Sequence, residues 1–327
     1  MKVLICHNHR FELWRAPLWI RDRLADDFPE TTFIHAGNND RLPDEIPDTD
    51  ILVGSWITPE YFQTAHKLKW IHSPAAAVHQ LMFPELVKSD VIVTNAGGVH
   101  APVVAEHAIA VLLALAKRLP QAIQHQRRSE WAQTFLWRGQ PRPREIFGST
   151  VAVIGMGSIG REFSIRAKAL GMTVLAVREN PAKGANGADA VFGPSELCGV
   201  LGKADYVLLC TPVTSATTSL IDRTALACMK PDAYLINVGR GPLIDEAALL
   251  DALQNGRIAG AGLDVFNEEP LPPDSPLWRL ENILITPHTA AVTDQAWERH
   301  YRLIGENLRR FQQGRELLNP VDKRRGY

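Results

Sequence analysis

Three polar residues stand in otherwise apolar stretches of the second half of the chain: Arg240 in NVGRG, Glu269 in DVFNEEPLP and His288 in TPHTA. A guanidinium, a carboxylate and an imidazole arriving together at strand ends suit one reaction in particular, the reduction of a 2-keto acid. That reaction needs a cation to hold the carboxylate and polarise the ketone, a hydride donor on one face, and an acid to protonate the developing alkoxide. Arg240 fits the cation and His288 the acid, while Glu269 is a negative charge that favours imidazolium over imidazole. Each also has a purely structural reading. Arg240 can cap a helix or pair with Asp245, Glu269 can be one of two solvated acids before a proline, and His288 can be a strand-end core histidine.

The hydride donor is suggested by VAVIGMGSIG at residues 151–160, a β-branched run that empties into G-x-G-x-x-G. Gly155 can take backbone angles closed to other residues, and Gly157 leaves room for a pyrophosphate. Gly160 lets the helix expected over 161–170 pack closely on the sheet with its N-terminal amides facing the phosphates. The alternative is a glycine-rich turn with no ligand. After the next strand-like run, MTVLAV, comes Arg178, near where an NAD-binding fold places Asp or Glu on the ribose 2′-hydroxyl. A guanidinium there pairs with a 2′-phosphate and tilts the cofactor towards NADP(H), with NAD(H) the other option. Glu179 next door works against the tilt, and a solvated strand-end Arg with NAD preferred is the competing reading.

The elements that must position these residues follow a βα rhythm. Strand-like runs VLIC, TTFIHA, DILVGS, LKWIHS and VIVTNA, with the helical FELWRAPLWIRDRLADDF, fill the first third. APVVAEHAIAVLLALAKRL, between His100 and Leu119, reads as one helix with Pro102 in its first turn. Residues 121–149 are irregular and rich in Trp, Pro and charge, and are read as an arm that covers a partner subunit through Trp131 and Trp137, or as a loop folded back on its own domain. After the glycine motif, strands are expected near VLAV, YVLLC, AYLINV, GAGLDV and NILITP, each continuously apolar as parallel strands covered on both faces are. The tail from Ala290 reads as helical and returns to the first domain. The domains predicted are 1–99 with 289–327, and 100–288.

At 327 residues and 46% hydrophobic, the chain can bury two cores. A net charge of −1 and a pI near 6.8 point to no nucleic-acid or membrane-surface partner, and RRSEW and KRRGY read as solvated surface. Cys6, Cys198, Cys210 and Cys228 are scattered without metal-ligand spacing and read as reduced core residues. No run approaches the roughly 20 apolar residues of a membrane span, and MKVLICH opens as a strand, so a cytoplasmic protein without bound metal is expected.

The markers AEHAIAVLLALAKR, VIGMGSIG, LCTPVTSATTSLI, LINVGRGPLIDEAAL, GAGLDVFNEEPLP and ILITPHTA occur in an order and spacing that resembles the D-isomer-specific 2-hydroxyacid dehydrogenases. This family of NAD(P)-dependent enzymes includes glyoxylate/hydroxypyruvate reductases, and the likeness covers nearly the whole chain. The resemblance implies an α/β fold of two doubly wound Rossmann-like domains with parallel sheets, the first discontinuous, and an active site in the interdomain cleft. It implies that Arg240 binds the carboxylate and ketone of a small 2-keto or 2-hydroxy acid, that Glu269 tunes His288, and that His288 shuttles the proton. It further implies that Asp264 holds the nicotinamide carboxamide, against its reading as a helix N-cap or strand-end acid. Met156, Ser158 and Ile159 would line the phosphate turn, Thr211 and Pro212 would lie along the adenosine side, and the chain would form a homodimer.

The sequence departs from the family at the substrate loop. Where relatives commonly carry a glycine before an apolar residue and an Asp, SPAAAVHQL offers Ala76, Ala77, Val78 and His79. Amides of Ala76 and Ala77 can still grip a carboxylate, while the role of the Asp does not transfer to His79. Trp56 either faces the cleft and limits substrate size or packs in the core. Three other readings compete: a dinucleotide-sensing scaffold, formate or phosphonate oxidation, against which Glu269 argues, and a short 3-phosphoglycerate dehydrogenase, one with a regulatory domain being disfavoured because the stretch after His288 leaves too little room for it.

Overall fold

Continuous runs of aliphatic and β-branched residues have no polar face to give to water, so they are stable as strands only when both faces are covered. The computed structural model, which describes residues 1–9 and 11–324, builds them into two units, Met1–His100 with Val292–Tyr327, and Ala101–Ala291. The first unit holds β1 (Lys2–Ile5), β2 (Thr32–His35), β3 (Ile51–Val53), β4 (Trp70–Ser73) and β5 (Ile92–Asn95). These form a parallel sheet in the order β2-β1-β3-β4-β5. One face is covered by a core including Ile20, Leu24, Trp297, Ile304 and Leu308 and the other by one including Leu42, Ile46, Leu81 and Leu86. Trp297, Ile304 and Leu308 belong to the helix Ala296–Gln312, which packs within the first unit.

The second unit holds β6 (Thr150–Ile154), β7 (Thr173–Val177), β8 (Ala190–Phe192), β9 (Tyr206–Leu209), β10 (Tyr234–Asn237), β11 (Gly260–Leu263) and β12 (Ile283–Ile285). They form a seven-stranded parallel sheet in the order β12-β11-β10-β9-β6-β7-β8. The order reverses beside β6, which places the glycine motif at a topological switch point, where doubly wound sheets take their ligands. The doubly wound α/β class is thus what the structure shows. Among the described residues no helix is long and apolar enough to cross a membrane.

Several local expectations are corrected. The single helix expected between His100 and Leu119 ends at Ala116, and a second runs Leu119–Arg127, with Arg118 between them at φ +57°. Pro120 has no N–H to continue the first helix, so the chain turns before it. The arm is therefore partly helical, with a further turn at Gln133–Arg138. Pro17 likewise splits FELWRAPLWIRDRLADDF into a short 3₁₀ turn, Glu12–Trp14, and the helix Leu18–Asp27. The strand Ala190–Phe192 was not anticipated.

The cysteines are the clearest correction. Cys198 and Cys228 are joined in a disulfide with a Cα separation of 5.4 Å, because the helices Leu197–Leu201 and Arg223–Cys228 lie side by side below neighbouring strands. Cys6 and Cys210 are free, and burial pushes their thiols up to about 11 and about 12. Lys323 of the KRRGY stretch is not solvated either, since its Nζ donates to the carbonyls of Leu86, Ser89 and Val91 at 3.2, 2.5 and 3.0 Å. Residues 325–327 of that stretch lie outside the described residues.

Candidate active site

At the C-terminal end of β6 the chain enters the glycine turn. Gly155 has φ +105°, and a Cβ there would lie 2.8 Å from the amide nitrogen of Thr211, so neither conformation nor space admits a side chain. Gly160 packs back on the carbonyl of Gly155, which brings the helix Ser158–Ala169 against β6. The N-cap of that helix is Gly157, which has no side chain to satisfy the first-turn amides and no heavy atom within 4 Å of where its Cβ would be. An open face over unpaired amides at the positive end of a helix is the cradle a diphosphate requires, so these residues fit a dinucleotide. Ser158 is exposed and Ile159 half-buried at this turn, whereas Met156 turns inward, 3% exposed in the core.

Arg178 follows β7. Its amide donates to Phe192 O and its Nη1 to Gly184 O at 3.1 Å, so the guanidinium lies over the short loop that carries Lys183. Thr211 and Pro212 begin the loop after β9, where Thr217 Oγ1 donates to Pro212 O at 2.7 Å.

The three candidate reacting residues follow β10, β11 and β12. Arg240 stands after β10, exposed, with its Nη1 on Gly239 O at 2.7 Å; it occupies the N-cap position of the 3₁₀ turn Gly241–Leu243, but its side chain makes no capping bond and does not pair with Asp245. Asp245 instead caps the helix Glu246–Gln254 by accepting from Ala248 N. The next residue, Gly241, approaches the strand-end loop of β11 so closely that a Cβ would fall 2.0 Å from the carbonyl carbon of Phe266. This contact knits the loop of Arg240 to the loop of Glu269. Phe266 N donates to Glu269 Oε1 at 3.0 Å, which turns the other oxygen, Oε2, to His288 Nδ1 at 2.6 Å. A carboxylate only accepts, so Nδ1 carries the proton of that bond and Nε2 is the free ring nitrogen. The side chains of Glu269 and His288 are 32% and 41% exposed, a hydrogen-bonded pair open on one side.

Asp264, immediately after β11, is 2% exposed. Its Oδ1 accepts from Thr286 Oγ1 (2.6 Å) and Thr289 N (2.8 Å), and its Oδ2 from Ala290 N (2.9 Å). Most of its hydrogen-bonding capacity is thus directed at the segment carrying His288. Reasoning from sequence missed two residues here. His107, on the helix Ala101–Ala116, approaches Thr286 Oγ1 at 3.1 Å and Asp264 Oδ1 at 3.7 Å. The available signal was a polar residue on a strongly apolar helix and a Thr two places before the histidine.

In the first unit, Ala76 and Ala77 are exposed in the loop after β4, with Asn95 Nδ2 holding the carbonyl of Ala76 at 2.9 Å. Trp56, after β3, is 41% exposed and meets Tyr61 edge-on, so it is not a core residue. Among the described residues no cluster of His, Cys, Asp or Glu is arranged to hold a metal.

Comparison with known proteins extends these geometric observations. The family described as "D-isomer specific 2-hydroxyacid dehydrogenase, NAD binding domain" matches residues 109–290. A glyoxylate reductase of Korarchaeum cryptofilum is 35% identical over 287 residues, covering 86% of this chain and 85% of that protein. A D-3-phosphoglycerate dehydrogenase of Methanocaldococcus jannaschii is 35% identical over 307 residues; these cover 92% of this chain, and the chain spans only 57% of that protein's length. The crystal structure of a D-isomer-specific 2-hydroxyacid dehydrogenase from Xanthobacter autotrophicus Py2, in complex with NADPH and MES, superposes with a TM-score of 0.84 at 29% identity over 99% of each chain. With the glycine turn, the paired Glu269 and His288 and these likenesses in agreement, the chain belongs to the D-isomer-specific 2-hydroxyacid dehydrogenase family.

Proposed function

We propose that the chain is a reductase of a small 2-keto acid of the glyoxylate or hydroxypyruvate kind, yielding a D-2-hydroxy acid, with NADP(H) favoured over NAD(H). The observation that carries this reading is the 2.6 Å bond between His288 Nδ1 and Glu269 Oε2 beside the loop of Arg240. The bound nicotinamide supplies the hydride. Arg240 holds the substrate carboxylate and polarises the ketone, and amides of Ala76 and Ala77 are the groups the first unit offers to a carboxylate. His288 gives the proton on Nε2 to the oxygen that becomes the hydroxyl, while Glu269 on the opposite ring nitrogen stabilises the imidazolium before transfer. Trp56 sets the size of substrate admitted.

Ser158, Ile159 and the amides of the glycine turn bind the diphosphate, Thr211 and Pro212 flank the adenosine, and Arg178 takes the 2′-phosphate. Asp264, inherited as the ligand of the nicotinamide carboxamide, has a single Oδ2 lone pair left for that contact. The NADPH in the Xanthobacter structure supports the cofactor preference. Trp131, Trp137 and Phe147, which are 92%, 58% and 76% exposed, support a homodimer that covers the arm, and light scattering at monomer mass would remove that part.

The test is initial-rate oxidation of NADPH and NADH with glyoxylate, hydroxypyruvate, pyruvate and phenylpyruvate. The expected result is turnover with NADPH preferred and the smaller acids fastest. Tight dinucleotide binding without turnover would overturn the reading in favour of a sensor. The Methanocaldococcus relative favours a second reading, D-3-phosphoglycerate oxidation, which the reverse assay with that substrate decides.

A further inference from the structure

The backbone at His288 is left-handed, at φ +52°, a conformation that a non-glycine residue keeps only when its surroundings enforce it. Most of the contacts around this turn converge on one residue. His288 N is shared between Asp264 O at 2.8 Å and Thr286 O at 3.1 Å, and the side chain of Asp264 takes the hydroxyl of Thr286 and the amides of Thr289 and Ala290. The residues flanking the turn on both sides are thus tied to a single carboxylate, and the imidazole at its apex is left to project outward.

A buried carboxylate is costly unless it is hydrogen-bonded. His107 also reaches this carboxylate, its Nε2 3.7 Å from Oδ1. Proton counting determines the direction of the intervening bonds. Asp264 only accepts, so Thr286 must spend its one hydroxyl proton on Oδ1, and its oxygen then accepts from His107. His107 therefore carries a proton on Nε2, because the other neutral tautomer would set two acceptors against each other. Its helix, Ala101–Ala116, is anchored by buried Val104, Ala105, Ala108, Val111 and Leu112, and Val111 packs on Gly262, two residues before Asp264.

We propose that His107 and Thr286 are positioning residues for the reaction: the relay His107 Nε2–H to Thr286 Oγ1–H to Asp264 Oδ1 locks the left-handed turn that aims His288. The proposal rests on His288 being the proton donor, and it assigns Asp264 an inward task besides any contact with the cofactor. Thr286 and His107 act through Asp264 and make no bond to the His288 ring among the described residues.

The test is a set of double-mutant cycles on the full chain with glyoxylate and NADPH, with NADPH binding measured by fluorescence so that rates are counted per competent site. Thr286→Val keeps the volume and removes the hydroxyl, and is expected to lower kcat by about tenfold to a hundredfold with KM and NADPH affinity within about twofold of wild type. Thr286→Ser restores the hydroxyl and is expected to restore kcat. In a His288→Ala background the same Thr286→Val change should have no further effect, because the group being aimed is gone; a merely structural role would lower the residual rate again. His107→Phe, cycled in the same way, serves if Thr286→Val does not fold. A strongly slowed His288→Ala together with a Thr286→Val at wild-type kcat, or with fully additive losses, overturns the relay alone. A His288→Ala at wild-type kcat overturns the proton-donor reading itself.

Discussion

At the scale of single residues, charge and its surroundings decide chemistry. Glu269 and His288 are each partly exposed, and what distinguishes them from ordinary surface residues is that Phe266 N fixes one carboxylate oxygen while the imidazole takes the other. Glu269→Gln keeps the shape and removes the charge, so it should lower kcat by about 10- to 100-fold, the usual contribution of acid–base assistance at its lower end, with NADPH affinity unchanged. A Gln variant as fast as wild type would show that the carboxylate does not tune the acid. Among the described residues the Arg178 guanidinium makes one bond, to Gly184 O, which leaves most of its donors available. Arg178→Asp should therefore move the ratio of kcat/KM from NADPH towards NADH, and an unchanged ratio would locate 2′-phosphate recognition elsewhere.

At the scale of elements, the decisive feature is how closely strand-end loops approach one another. The loop after β10 touches the loop after β11 through Gly241 against Phe266, a spacing that no larger residue tolerates. Gly241→Ala should cost about 1–3 kcal/mol of stability, the usual penalty for forcing extra volume into packed structure. Because the displaced segment carries Arg240 on one side and Glu269 on the other, kcat/KM should fall as well. A denaturation midpoint equal to that of wild type would show that the loops separate freely. The same logic explains the helix breaks at Arg118 and Pro17, where a proline without an N–H ends the ladder.

At the scale of the molecule, each unit carries a liability of its own. In the first, His72 and His300 are 0% and 3% exposed, and His7 and His100 lie close by, with Arg299 also acting on His100. His72 Nε2, His100 Nδ1 and His300 Nδ1 have no hydrogen-bond partner. Burial, reinforced by neighbouring histidines, lowers His7 to about 4, His72 to about 3 and His300 to about 2, from an ordinary value of 6.5. A depressed histidine is neutral in the native state, whereas the unfolded chain takes up the proton below pH 6.5. Stability is therefore full above that pH and falls as pH drops towards the native values, by up to about 1.4 kcal/mol per pH unit for each of His72 and His300. The urea midpoint should fall between pH 7 and pH 5, and His300→Phe should flatten the slope; a midpoint independent of pH in that range contradicts the account.

In the second unit the Cys198–Cys228 bridge closes a loop with a sequence separation of 30. Loop-closure entropy then predicts a contribution of about 3–4 kcal/mol, so a reductant or Cys198→Ser should lower the Tm of oxidised protein. An unchanged Tm would mean that the two helices hold each other without the bridge.

Much of the protein was legible in its sequence. The strands of both sheets, save β8, announce themselves as short apolar runs, because burial on both faces is a local demand on composition. The glycine turn is equally local, since its backbone angles and close approach to Thr211 exclude every other residue at Gly155. Arg240, Glu269 and His288 stood out as polar residues in otherwise apolar stretches. Tertiary structure decided the rest: the pairing of Cys198 with Cys228, the inward task of Asp264, the approach of His107 to Thr286 and the gathering of histidines behind β4. These depend on which elements become neighbours after the chain has wound back on itself, and periodicity within a segment carries no information about what will be packed against it.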